Sequence, residues 1–240
     1  MKVSLISHTP HAAQLLVFTK STRLTMAPGL LAEIMRWPPE KIAEELAYMA
    51  NTIPSSWEFV DYVFLVEGVS RAYTHQQVRT RNASFAQQTM RVLDMGEFEY
   101  VLTSRNRADP RACNVIEQCL STIKDSYRTL IAMGHAPEDA RGLLPTNIAT
   151  NIVCKFNLRT LSELCKSRTG GRTQNEYQQV VNGMADAVLE VHPWAEQFLF
   201  PARRDAFDEI EAFAQETFGG DLLRKGKLLK IVDQMRKAAK

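Results

Sequence analysis

Asp61-Tyr62-Val63-Phe64-Leu65-Val66 is the run on which the fold turns. Its unbroken β-branched and aromatic residues suit a pleated surface inside a protein, so it reads as a buried strand. Downstream, Ser70 can cap a helix over 71–78, its hydroxyl accepting from an otherwise orphaned amide. The same strand-then-helix order returns later, with a strand over 148–156 and a helix over 158–167 capped by Asn157. Outward from these two units, 2–7 and 98–102 read as shorter strands. Thr9-Pro10 opens a helix through Leu15, Leu16 and Phe18. Pro38-Pro39 starts a helix over 40–51, where Ile42, Leu46 and Met49 recur at helical spacing, and Pro54-Ser55-Ser56 ends it. Asp109-Pro110 starts a long helix that runs to Met133 and stops at Gly134. Gly170-Gly171 interrupts the chain before a helix from about 174 to 190. The resulting class is a mixed α/β or α+β domain.

A chain of 240 residues, 45% of them hydrophobic, is long enough for one well-filled domain. Residues 205–240 have helical periodicity and carry Arg224-Lys225-Gly226-Lys227 and Arg236-Lys237, and so read as a helical extension to a domain spanning 1–204. With 23% charged residues and a net charge of +2, the chain advertises no general attraction to nucleic acid or anionic membrane, so an anion site has to be local. No run approaches the roughly 20 apolar residues that span a bilayer, and the opening residues lack the long apolar stretch of a signal peptide. A cytoplasmic protein is expected. The four cysteines stand singly, without a CxxC pair or a histidine pair nearby, which argues against zinc and for reduced structural thiols. No metal ligands are assigned.

Three polar clusters carry the candidate chemistry. The first, Arg79 to Arg91, has no clear periodicity, as expected of a segment lining a site; its three arginines, hydroxyls and amides make a good anion cradle, because guanidinium forks match phosphate oxygens. The second is Arg141 with Leu144-Pro145-Thr146-Asn147. The third runs from Asn157-Leu158-Arg159 through Arg168 and Arg172 to Gln174 and Glu176, with Arg168 at or beyond the last turn of its helix. On composition alone, a solvated basic loop and a helix-capping arginine explain the first and third equally well.

Taken together the clusters resemble the flavin-dependent thymidylate synthase family. The resemblance lies in Val66-Glu67-Gly68-Val69-Ser70-Arg71-Ala72, Thr74-His75-Gln76-Gln77-Val78-Arg79-Thr80-Arg81 and Ala83-Ser84-Phe85-Ala86-Gln87-Gln88-Thr89-Met90-Arg91. The family motif is Arg-His-Arg, seven residues, then serine; here it reads Arg79-Thr80-Arg81, seven residues, then Thr89. Ala140 to Pro145, Phe156-Asn157-Leu158-Arg159, Arg168 and Gln174-Asn175-Glu176 resemble a second family block, and the likeness covers roughly residues 1 to 200. Departures are Thr80 for the motif histidine, Thr89 for its serine, Val92 for a tyrosine, and Thr52-Ile53-Pro54-Ser55-Ser56-Trp57-Glu58-Phe59 without the two histidines usual there. Glu163 stands where asparagine or histidine is common.

What the resemblance implies is a mostly antiparallel sheet flanked by helices in a single domain. It implies that Ser55, Arg79, Arg81 and Asn157 touch FAD, with Thr80 and Glu163 beside it, and that Gln76, Gln87, Thr89, Arg91, Arg141 and Arg168 surround a pyrimidine nucleotide. It implies a homotetramer whose sites draw on more than one subunit. The implied chemistry moves a one-carbon unit from methylenetetrahydrofolate to C5 of dUMP, giving dTMP, with hydride from reduced FAD and NADPH as the reductant of the flavin. Arg168 is the candidate for polarising the pyrimidine. Thr89 is expected to hydrogen-bond there and not to act as a nucleophile, because no adjacent histidine can activate it. The lost histidines and Glu163 keep a second reading open, a C5 methylase or hydroxymethylase of UMP, dCMP or dUMP. A nucleic-acid-binding protein using Arg71, Arg79, Arg81 and Arg91 as a phosphate stripe is the reading from another class.

Overall fold

Four strands, β1 (Lys2–His8), β2 (Asp61–Ser70), β3 (Ala83–Gln87) and β4 (Ala149–Asn157), form one sheet in the order β1-β2-β4-β3. Every neighbouring pair is antiparallel. The computed structural model describes residues 1–25, 27–169 and 173–200, and in the C-terminal part 210, 213, 214, 217, 218 and 222–238. The chain divides into two compact units, Met1–Phe200 and Pro201–Lys240.

The opening run is the middle of β2, and it extends further than its apolar residues. Tyr62, Phe64 and Val66 are fully buried while Val63 and Leu65 are half-buried, the period-two signature of a strand with one deeply covered face. Register sets Tyr62 opposite Phe156, Phe64 opposite Cys154 and Val66 opposite Ile152, so large buried side chains meet in pairs across the two central strands. The register shifts between Val66 and Val69, where Gly68 at φ 64° lets the chain bulge and run on to Ser70. That bulge carries the strand to the residue that caps the next helix.

Helices α1 (Ala12–Ser21), α3 (Pro39–Thr52), α8 (Leu158–Arg168) and α9 (Asn175–Val191) contribute Leu16, Leu46, Leu161 and Met184 to the core over that face. A side chain added at Gly183 would meet Val3 Cγ2 at 3.2 Å, so α9 lies directly on β1. A second, smaller core of Met95, Phe98, Leu120, Tyr127, Ala140 and Ile148 sits beneath the long α6 (Pro110–Ala132). Asp109 caps α6 by accepting from the amides of Arg111 and Ala112, and Gly134 at φ 90° follows its end. Short helices α2 (Leu30–Ile34), α5 (Ser104–Arg107), α7 (Pro137–Ala140) and α10 (Glu196–Leu199) fill the connections, and α4 (Arg71–Gln77) follows β2. In the second unit, α11 covers Leu222–Ala238. The rest of the expected tail helix, the 204/205 boundary, Gly170-Gly171 and Arg172 lie outside the described residues.

Two expectations need correction. Residues 98–102 are not a strand: Tyr100 makes one isolated bridge to Ile148, because Phe98 turns inward to the second core instead of continuing the ladder. The segment read as aperiodic contains β3, whose Phe85 packs edge-on to Phe156 while Ala86 and Ser84 face outward. No helix among the described residues is long and apolar enough to cross a membrane.

Candidate active site

The loop between α4 and β3 carries the motif. Ser70 caps α4, its hydroxyl accepting from the Tyr73 amide at 3.1 Å, and the helix ends at Gln77 with amides of Arg79 and Thr80 folding back on it. Asn82 adopts a left-handed φ of 57°, which turns the chain from the helix into β3. Arg79 and Arg81 flank this turn, exposed, and neither guanidinium has a partner among the described residues. Two unpaired cations on one tight turn suit a diphosphate such as that of FAD.

Around this loop the structure brings two of the three clusters together. Gln87, at the end of β3, donates to Thr74 Oγ1 at 2.7 Å. The Thr89 hydroxyl accepts from the Arg91 amide at 3.0 Å. Arg91 pairs with Glu138 at 2.8 Å, and Arg141 donates to the Glu138 carbonyl at 3.2 Å, so one residue of α7 organises an arginine from each cluster. Arg71, which sequence reasoning placed only in a phosphate stripe, donates to the Gln88 carbonyl. Burial lowers its pKa, and the charge of Arg141 lowers it further. Arg71 nevertheless remains protonated at neutral pH, and its Nε is buried without a partner among the described residues. Of these three guanidinium groups only Arg91 is paired with a carboxylate, while Arg141 and Arg71 donate to backbone carbonyls, which leaves an excess of positive charge that a phosphate would neutralise.

The third cluster meets α4 and its capping residue from the other side. Gln76 donates to Gln174, and Glu176 accepts from the Ser70 amide at 2.7 Å and the Ser70 hydroxyl at 2.5 Å. The start of α9 is thereby latched to the start of α4. Arg168 is the final residue of α8, one beyond the expected end, and its guanidinium carbon lies 5.1 Å from the centre of the Tyr177 ring. Burial raises the pKa of the Tyr177 hydroxyl, and the nearby Thr80 hydroxyl and Arg168 charge oppose that rise.

Other expected cofactor contacts stand apart. Ser55, exposed in the short 3-10 helix Pro54–Phe59, accepts from Arg23 at 3.0 Å. Asn157 spends its carbonyl oxygen on the Thr160 amide at 2.8 Å, and Glu163 sits 3.4 Å from Arg159, which also pairs with Glu58 at 2.7 Å. None of the three touches Arg79 or Arg81 within the described residues. Glu138 and Tyr177 had no signal of their own in the sequence, and Glu176, visible as a member of the third cluster, gave no sign of its partner Ser70, because each acts through a contact that no local pattern encodes. No group of histidine, cysteine or carboxylate side chains among the described residues could hold a metal ion. Cys154 and Cys165 are buried thiols whose pKa burial pushes up to about 12, Cys113 and Cys119 are free, and none forms a disulfide.

Arginines from separate segments of this α+β domain meet beside one loop, and similarity to known proteins says which family it belongs to. The profile of the family described as thymidylate synthase complementing protein matches residues 4–194, and the chain belongs to that family. A flavin-dependent thymidylate synthase of Nitratidesulfovibrio vulgaris is 33% identical over 209 residues, covering 80% of this chain and 84% of the relative. Enzymes of the same name from Geobacter sulfurreducens and Clostridium tetani are 31% and 27% identical, again over 80% of this chain and 84% of theirs.

Proposed function

We propose that the protein is a flavin-dependent thymidylate synthase that converts dUMP to dTMP, with methylenetetrahydrofolate as one-carbon donor and NADPH as reductant of FAD. The observation that supports this reading is the convergence on Tyr177 of Arg168, 5.1 Å from its ring centre, and of Thr80 of the motif, which approaches its hydroxyl. In the overall change, C5 of the pyrimidine loses a proton and gains the folate's methylene carbon, whose two bonds to folate nitrogens both break, with protons taken up on the nitrogens, to release tetrahydrofolate. When bound, the flavin held by Arg79 and Arg81 would, in its reduced form, supply the hydride that completes the methyl group, and NADPH would be the source of those two electrons.

The chain's own groups bind, orient and polarise. Arg79 and Arg81 are assigned to the FAD diphosphate, with Thr80, Ser55, Asn157 and Glu163 beside the cofactor. Arg91 and Arg141, aligned by Glu138, suit the nucleotide phosphate, with Thr89 and Gln87 at hand to hydrogen-bond the sugar and phosphate. Gln76 is fixed by Gln174 for an amide contact. Arg168 stabilises negative charge as it develops on a pyrimidine carbonyl oxygen, a role for which a preoriented guanidinium is worth more than a solvated one.

We also assign the site to a cytoplasmic homotetramer built on a domain of residues 1–204, with 205–240 as an extension. Two observations support assembly: Arg79 and Arg81 face outward unpaired, and Leu65, Val153 and Ala86 line an open recess of about 320 Å³ on the sheet's less covered face. Light scattering that returned a 27.2 kDa monomer with FAD bound would contradict it.

The test of function is an assay of the FAD-loaded protein with NADPH and methylenetetrahydrofolate, offering dUMP, UMP and dCMP separately and identifying products by mass. dTMP from dUMP is the expected product. A methylated or hydroxymethylated product from another nucleotide only, or none from any, would overturn the reading.

A further inference from the structure

A long, flexible side chain at a helix end can act as a preorganised electrostatic group only if something holds it before the substrate arrives. For Arg168 that support is Tyr177, in the first turn of α9. Tyr177 is 0% exposed, and its ring packs edge-on against Tyr73 with centres 5.2 Å apart, so it has no freedom to swing. Gln178 donates to the Thr169 carbonyl at 2.7 Å and ties the end of α8 to the start of α9, fixing arginine and tyrosine relative to each other.

The polar atoms around this pair are unevenly satisfied. Tyr73 donates to Gln77 Oε1 at 3.2 Å, which leaves the Gln77 amide nitrogen buried without a partner among the described residues. Arg168 Nε is in the same condition. Thr80 and Arg168 approach the Tyr177 hydroxyl, yet no hydrogen bond of normal geometry to it forms among the described residues. Folded proteins bury few such atoms, and three of the five found among the described residues belong to this one neighbourhood. If Tyr177 served packing alone, phenylalanine would do as well without the desolvation cost of a buried hydroxyl.

We propose that Tyr177 is the positioning residue of Arg168: its ring carries the guanidinium, and its hydroxyl links Arg168 to Thr80, which stands in the place of the motif histidine. The proposal rests on the reading of Arg168 as the group that faces the pyrimidine. Binding of nucleotide draws Arg168 into register, and the Tyr177 hydroxyl then accepts from Arg168 and donates to Thr80. The motif loop that holds the flavin and the arginine that polarises the nucleotide are thereby joined through one phenol.

Tyr177→Phe and Thr80→Val, singly and together, in the FAD-loaded protein test this directly. Each single variant is expected to keep FAD and the parent melting temperature, to lower kcat for dUMP by about tenfold, the scale of one hydrogen bond, and to change KM by less than about threefold. The double variant should be no slower than either single one, because both remove the same link. Parent kcat in Tyr177→Phe, independent losses that multiply in the double variant, or loss of kcat together with FAD and thermal stability would each overturn the proposal. Should the parent protein not turn over dUMP at all, the functional reading fails separately, and the Nε–H resonance of Arg168, identified by its absence in Arg168→Lys, still decides. It is expected to be shifted by the aromatic ring in the parent and to move to the position of solvated arginines in Tyr177→Leu; the same resonance in both proteins would overturn the positioning role.

Discussion

The two ends of α8 are built differently. At its start, Asn157 caps the helix, Arg159 pairs with Glu58 and approaches Glu163, and every polar group the resemblance singles out there has a partner inside the chain. At its end, Arg168 lies over Tyr177 with its Nε buried and unpartnered among the described residues. A satisfied end contributes stability and has to exchange bonds before it can hold a ligand. An unsatisfied, buried end is already desolvated, and a ligand placed there gains hydrogen bonds that no water has to give up. The contrast separates a start of α8 whose polar groups are already paired within the chain from an end that keeps a buried, unpartnered donor.

The largest effect that could break this contrast is at the end. Arg168→Ala is expected to keep fold and flavin while slowing nucleotide-dependent oxidation of the reduced enzyme by about 100-fold or more, and Arg168→Lys to recover little, since a point charge cannot reproduce a planar fork. Stopped-flow absorbance of the flavin measures both. Next comes the exposed pair: Arg79→Ala or Arg81→Ala should weaken FAD binding by about 1.5–3 kcal/mol, checked by fluorescence titration, and unchanged affinity in both would make the pair a solvated face.

Smaller effects belong to the start of α8 and its surroundings. Tyr62, next to Asp61 that pairs across the sheet with Asn157, lies with its hydroxyl 3.1 Å from His192 Nδ1. Burial, and then the charge of His8 packed edge-on at 4.7 Å, pull the His192 pKa down to about 4. A folded pKa below the unfolded value of about 6.5 means that the unfolded chain binds the proton first. The stabilisation is therefore complete above about pH 6.5 and is lost as pH falls toward 4. Because the ring is only half-buried, the loss should be on the order of 1–2 kcal/mol, and urea melts across this range should show it flattened in His192→Gln. Asn157→Ala should cost about 1 kcal/mol of stability in the same melts, the usual worth of a helix cap. A cost near zero would mean that its side chain is kept for the cofactor alone.

Legibility in the sequence followed how local each signal was. Ser70, Asp109 and Asn157 announced their helices because a cap acts within three residues, and β2 and β4 announced themselves through consecutive apolar side chains. β3 did not, since Ala83-Ser84-Phe85-Ala86-Gln87 is half polar and becomes a strand only because β4 offers it an edge. The apparent strand at Phe98 failed for the converse reason, a second core that claims the side chain. At the candidate site, the arginines were visible as a composition, but their order was not. Glu138 joining Arg91 to Arg141, Glu176 latching Ser70, and Tyr177 under Arg168 are contacts between segments 47 and 106 residues apart or across a helix break, and no local pattern encodes them.

The most direct test of the account follows reduced, FAD-loaded protein on mixing with dUMP and methylenetetrahydrofolate, recording the return of oxidised-flavin absorbance in the parent and in Arg168→Ala. The account predicts that flavin reoxidation in the parent is coupled to dTMP formation, and that the variant binds the same FAD but reoxidises at least about 100-fold more slowly. Equal nucleotide-dependent rates in the two proteins, or reoxidation without any dTMP, would contradict it.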